Sequence, residues 1–225
     1  MSDYEDRLPV LIAVLVNLAL LYFIPQKFQV LPSWLVPAIA GALLIPLVIQ
    51  NPRRLCRETT LSRWISIVLT SFLVLANQIT VLVTIENLLN GDADGKDVLL
   101  SALQVWLSSV ITFGLVYWEL DHGGPVARRE AGGWHAAGAD FRFPQNDGGD
   151  EGGADGSTDG SPADSRQWRP GYIDYFYVAF TNMIAFSPTD TMPMTSRAKL
   201  IMAFQSIGAF VLLALVVSRA VNILA

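Results

Sequence analysis

The sequence predicts an all-α fold, a polytopic transmembrane helix bundle of six spans, or of five spans plus a re-entrant half-helix, with a disordered acidic loop. Three observations predict it. Of 225 residues, 52% are hydrophobic and 16% are charged, whereas soluble domains carry about a quarter charged residues; the mean hydropathy is +0.41. Long stretches almost free of charge alternate with short charged clusters, as in a chain whose solvent alternates between lipid and water. Between Asp121 and Arg169, nine acids against five bases leave −4 of the chain's net −5 in one segment.

The chain divides into a four-helix transmembrane region over 1–120, an acidic Gly/Asp-rich flexible loop over 121–170, and a pore-loop-like short helix with a last transmembrane helix over 171–225. The first span runs from about Leu8 to Ile24 and ends at Pro25-Gln26-Lys27. Acidic residues ahead of it (Asp3, Glu5, Asp6) and the lack of a small-residue cleavage site read as a retained span, not a signal peptide. The second runs from Trp34 to Ile49, with Pro46 inside it. A membrane helix tolerates such a proline because neighbours re-satisfy the freed carbonyl. Arg53, Arg54, Arg57 and Arg63 follow as the densest basic cluster. The third span runs from Trp64 to Leu89, Gly91–Gly95 form an acidic turn, and the fourth runs from Val98 to Trp118.

Gly148–Ser165 is mostly Gly, Asp, Ser and Ala. With almost nothing apolar to bury, it cannot offset its ordering entropy and reads as disordered linker. Order returns over Tyr172–Ser187, an apolar and aromatic stretch of about 24 Å as a helix at 1.5 Å per residue, against a hydrocarbon core of about 30 Å. It is therefore a short span or a re-entrant half-helix. The last span runs from Ala198 to Val217, with Arg219 placed to snorkel. Arginine bias puts the cluster at 53–63, and with it the N-terminus and the acidic loop, in the cytoplasm. Six spans bring the C-terminus to the same side and leave Asp190 outside; five spans with a re-entrant helix reverse both.

Polar residues in lipid face the bundle interior, where they line a path or fix packing by interhelical hydrogen bonds. The candidates for a pore or polar path are Asn77 and Gln78 in the third span, Thr181, Asn182, Ser187, Thr189 and Asp190 around the fifth segment, and Gln205 in the last. The ionisable residues Glu86, Glu119, Asp174 and Asp190 fall near span ends, and none lies at a midplane as proton pumps usually require. No nucleophile elbow, zinc-protease helix motif or phosphate loop occurs, which argues against an enzyme. Cys56 is the sole cysteine, and His122 and His135 flank a Gly-rich loop as solvated residues, so no metal site or cofactor is expected. The absence of a basic stripe excludes nucleic acid as a partner.

The run Tyr175–Thr181, the break at Ser187-Pro188, Asp190 and Thr195-Ser196-Arg197 resembles the pore region of two-helix potassium channels, but a Thr-Val-Gly-Tyr-Gly-type filter is missing. A closer resemblance is to a bacterial membrane family, domain of unknown function 1345. It rests on Asp140-Phe141-Arg142-Phe143-Pro144, Asp174-Tyr175-Phe176-Tyr177-Val178-Ala179-Phe180-Thr181, Phe186, Asp190, Thr195-Ser196-Arg197 and Asn222. The resemblance covers the C-terminal half and implies a multi-pass bacterial inner-membrane protein without supplying an activity. The expected partners are the lipid bilayer, an ion or small solute, and further copies of the chain. The expected function is channel-like or transport-related, the alternative a non-transporting scaffold or regulator.

Overall fold

The computed structural model describes residues 5–50, 59–90, 95–130, 138–145, 169–185 and 190–224. They form helices α1 (Leu8–Phe23), α2 (Leu35–Gln50), α3 (Thr60–Asn90), α4 (Gly95–Leu120), α5 (Pro125–Glu130), α6 (Tyr172–Ala185) and α7 (Ser196–Leu224). Two-residue strands β1 (Phe141–Arg142) and β2 (Met192–Pro193) pair antiparallel, Phe141 opposite Pro193. The fold is all-α, as expected. Three helices, covering Thr60–Asn90, Lys96–Gly123 and Ser196–Val221, are long and apolar enough to cross a membrane. The apolar helices α1 and α2 are shorter, at 16 residues each.

Local chemistry explains the helix boundaries. Thr59 and Ser62 exchange side-chain-to-backbone hydrogen bonds of 3.0 and 3.1 Å, a reciprocal cap that starts α3 one turn before the expected Trp64. Asp174 accepts the Gly171 N–H at 2.8 Å and fixes the start of α6. Thr195 accepts the Ala198 N–H and starts α7 two residues before the expected Ala198. Inside α2, Pro46 removes the donor for the Ala42 carbonyl, and the adjacent Leu47 carbonyl accepts Arg7 from α1.

Helix α4 is the hub. It packs on α1, α3, α6 and α7, and Val98, Val105, Val110 and Tyr117 are completely buried along it. Contacts give the directions of α6 and α7. Tyr175 reaches Asp121, a Cβ at Gly114 would stand 3.0 Å from the Phe176 Cα, and Phe180 meets Trp106 at 5.9 Å. Numbering rises along α6 as it falls along α4, so the two are antiparallel. Along α7, Arg197 borders Leu120 and Gly123, Phe204 meets Phe113 at 6.4 Å, and Leu212 packs with Val105 and Val98. Helix α7 is also antiparallel to α4. Two consecutive helices with the same direction require the chain to return between them, and β2 marks the return, paired with β1 at the Asp121 end.

Polarity is distributed inside-out. Asn17, Asn77, Thr84, Ser108 and Thr112 are fully buried, while Leu82 is 66% and Leu200 71% exposed. One expectation is corrected. The flexible loop begins later than residue 121, because 121–130 and 138–145 carry α5, β1 and buried Asp121, Arg128 and Asp140. Apolar Val126, Phe141 and Phe143 anchor them, a signal hidden by the acidic composition around them. Gly148–Ser165 lies outside the described residues.

Candidate functional site

Three polar assemblies surround α4. The first is a charged clasp at its C-terminal end. Asp121, completely buried, accepts the Tyr175 hydroxyl at 2.5 Å and the Asp140 backbone N–H at 2.7 Å. His122 Nδ1 stands 3.3 Å from the same carboxylate. Arg128 donates to the Trp118 and Asp121 carbonyls at 2.6 and 3.0 Å and to Glu5 at 3.2 Å. Its guanidinium lies over the Trp118 and Tyr175 rings at 5.9 and 5.1 Å. The Trp118 indole also donates to Glu5, at 2.9 Å. Burial opposes charge on Arg128, but the Tyr175 hydroxyl, Glu5 and Asp121 outweigh it and hold its pKa above the ordinary guanidinium value. Burial raises the Glu5 pKa even with Arg128 and Trp118 bound to it.

A second half of the clasp ties the flanks of α6 together. Asp140, also fully buried, accepts Arg197 Nε and Nη2 at 2.7 and 2.5 Å and the Thr195 hydroxyl at 2.5 Å. The Met194 N–H donates to the Asp140 carbonyl at 2.8 Å. Asp140 thus links the segment before α6 to the one after it, and its backbone hangs on Asp121. The bidentate Arg197–carboxylate fork fixes angle as well as distance.

The second assembly is a seam between α1, α3 and α4. Asn77 donates to Ser108 at 3.0 Å and accepts from Ser109 at 2.9 Å. Ser108 donates to Asn17 at 2.7 Å, and Asn17 to Thr112 at 3.2 Å. Gln78 donates to Asn77 at 3.2 Å. The third joins α6, α7 and α4. Asn182 donates to Gln205 at 2.7 Å and to the Met202 carbonyl at 3.0 Å, and Ser206 donates to Asn182 at 2.9 Å. Gln205 also takes the Tyr117 hydroxyl and donates to the Ala179 carbonyl at 3.0 Å.

The eight residues expected to line one path therefore do not converge. Asn77 and Gln78 belong to the seam, and Asn182 and Gln205 to the α6–α7 assembly. Thr181 bonds back to the Tyr177 carbonyl of its own helix at 2.9 Å, and Asp190 is exposed beside β2. Ser187 and Thr189 lie outside the described residues. Of the four carboxylates near span ends, Glu119 stands at the Asp121 end of the bundle and Glu86 is exposed near the far end of α3. Among the described residues no group of three or more His, Cys, Asp and Glu is placed to hold a metal ion.

Sequence reasoning missed Glu5, Asp121 and Arg128 as a unit. Their partners lie as many as 123 residues apart. The available signal was local: an Asp at the end of an apolar helix, followed seven residues later by an Arg. No protein-family model, curated protein or solved structure matches the chain.

Proposed function

We propose that the chain is a bacterial inner-membrane protein of five spans (α1, α2, α3, α4 and α7), in which α6 is a re-entrant half-helix of a channel-like or transport-related device. One observation carries this reading: both flanks of α6 meet at the Asp121 end of α4, where Asp140 binds Thr195 and Arg197. At 14 residues, α6 is about 21 Å long, short of the roughly 30 Å hydrocarbon core. A helix that enters and returns at one face is a device for bringing helix ends and backbone groups to a permeation path. The inside-out polarity of the bundle supports a lipid solvent. Arginine bias supports a cytoplasmic Asp121 end and N-terminus, with the C-terminus outside. This reading uses the five-span arrangement in place of six. The residues that carry the resemblance to domain of unknown function 1345 (Asp140–Pro144, Tyr175, Thr195 and Arg197) gather around the clasp, which suits a shared architecture. A channel of this size needs several copies to enclose a pore, and the permeant is an ion or small solute.

A second reading, a non-transporting scaffold, draws on a different observation: Asn77, Asn182 and Gln205 are consumed by hydrogen bonds within one chain. Flux measured in liposomes separates the two. The transport reading expects ion or solute flux that changes when Asp190, at the exit of the α6 segment, becomes Asn. Folded protein without flux across varied ions and voltages overturns it in favour of the scaffold.

A further inference from the structure

A lateral groove of about 750 Å³ opens between α3, α4 and α7, within the range of about 300–1,000 Å³ typical of ligand sites. Its ends differ in chemistry. Arg63, Glu119 and Arg197 stand at the mouth, Phe113 and Phe204 line the middle, and Gln78 lies at the far end. From Arg63 to Gln78 is about 22 Å at 1.5 Å per helical residue. The site is thus long, apolar along its length and charged at one end.

The mouth is built, not incidental. Gly123 and Gly124 hold φ of +77° and +110°, and a Cβ on either would come within 3.3 Å of the Arg63 guanidinium. Conformation and space both select glycine there, and the two glycines seat Arg63 on the turn. Ser66 donates to Glu119 at 3.0 Å, and the other Glu119 oxygen lies 3.8 Å from the Cβ position of Gly124. Arg63 and Glu119 therefore border the same glycine. Arg197 is held by buried Asp140, yet its side chain is 55% exposed.

We propose that this groove binds an aminophospholipid. The phosphate lies against Arg63 and Arg197, the primary ammonium against Glu119, and one acyl chain runs past Phe113 and Phe204 toward Gln78. Two guanidiniums beside one carboxylate complement a head that carries both a phosphate and an ammonium. A purely anionic head leaves Glu119 facing negative charge, and a quaternary ammonium offers it no N–H donor. A water-soluble solute has no use for the long apolar floor.

Native mass spectrometry of the full chain, with phosphatidylethanolamine, phosphatidylglycerol and phosphatidylcholine of matched acyl chains, tests this without any flux assay. It therefore stands or falls separately from the transport reading. The wild-type chain retains phosphatidylethanolamine in preference to the other two. Arg63→Gln lowers its retention about tenfold, the worth of one charge-assisted hydrogen bond. Glu119→Gln erases the preference over phosphatidylglycerol while leaving phosphatidylglycerol bound. Ser71→Trp, on the exposed groove wall, blocks all three without touching a charge. Equal retention of the three lipids, or a Ser71→Trp variant that binds like wild type, identifies an adventitious lipid film only and overturns the proposal.

Discussion

Arg128 has its guanidinium between Glu5, two carbonyls and two aromatic rings, at 3% exposure. Taking one member from a buried ion pair leaves its partner's charge uncompensated and costs about 3–5 kcal/mol. Arg128→Ala is expected to lower stability by that amount in a denaturant titration in detergent, and Arg128→Lys to recover only part, because an ammonium lacks the planar fork. A loss below about 1 kcal/mol, the value of an exposed pair, would show the clasp to be solvated. The buried amides follow a different rule. Single Asn77→Leu, Asn182→Leu and Gln205→Leu changes should each cost about 0.6–1.7 kcal/mol, the range for hydrogen bonds between membrane helices. Asn182→Leu and Gln205→Leu share a bond and should combine non-additively, whereas Asn77→Leu and Gln205→Leu share no partner and should add within about 0.5 kcal/mol. The sequence identified these amides as interior because uncharged polar residues stood out in apolar runs. It left Glu5, Asp121 and Arg128 obscure because each sits where a span end already explains a charge, and their pairing depends on chain crossings that no local pattern encodes.

At the scale of elements, α6 is defined by how it is clamped. Gly114 lets its backbone approach α4, and any Cβ there would meet the Phe176 Cα at 3.0 Å. Gly114→Ala is expected to cost about 1–3 kcal/mol through overpacking, and Gly114→Leu to displace α6 and break the Tyr175–Asp121 bond. A lowered unfolding midpoint together with reduced crosslinking between cysteines placed at Phe180 and Trp106 would report it. Unchanged stability in Gly114→Ala would mean that α6 gives way at no cost. The helices themselves were legible from hydropathy, with ends within a few residues of those observed; α3 and α7 start earlier because Thr59 and Thr195 cap them. The direction of α6 was not legible. Its length fits either a short span or a half-helix, and the arginine balance differs little between them. The deciding contacts come from Asp121 and Asp140, residues whose acidic neighbourhood reads as linker.

At the scale of the whole molecule, the account joins an inside-out bundle, a central α4 and two consecutive helices running the same way against it. Asp140 is the pin that closes the return, so Asp140→Ala should free Arg197 and Thr195 together and loosen α6 without unfolding α3 or α4; faster hydrogen exchange confined to 172–200 would register this. The claim that orders all the rest is that α6 enters and leaves at one face. Single cysteines at Gln145 and Asp190, both exposed, and one appended after Ala225, in a Cys56→Ser background, test it with an impermeant thiol reagent on intact cells and inverted vesicles. The account predicts that Gln145→Cys and Asp190→Cys label from the same face and the appended cysteine from the other. Labelling of Gln145→Cys and Asp190→Cys from opposite faces would contradict it and restore a sixth span.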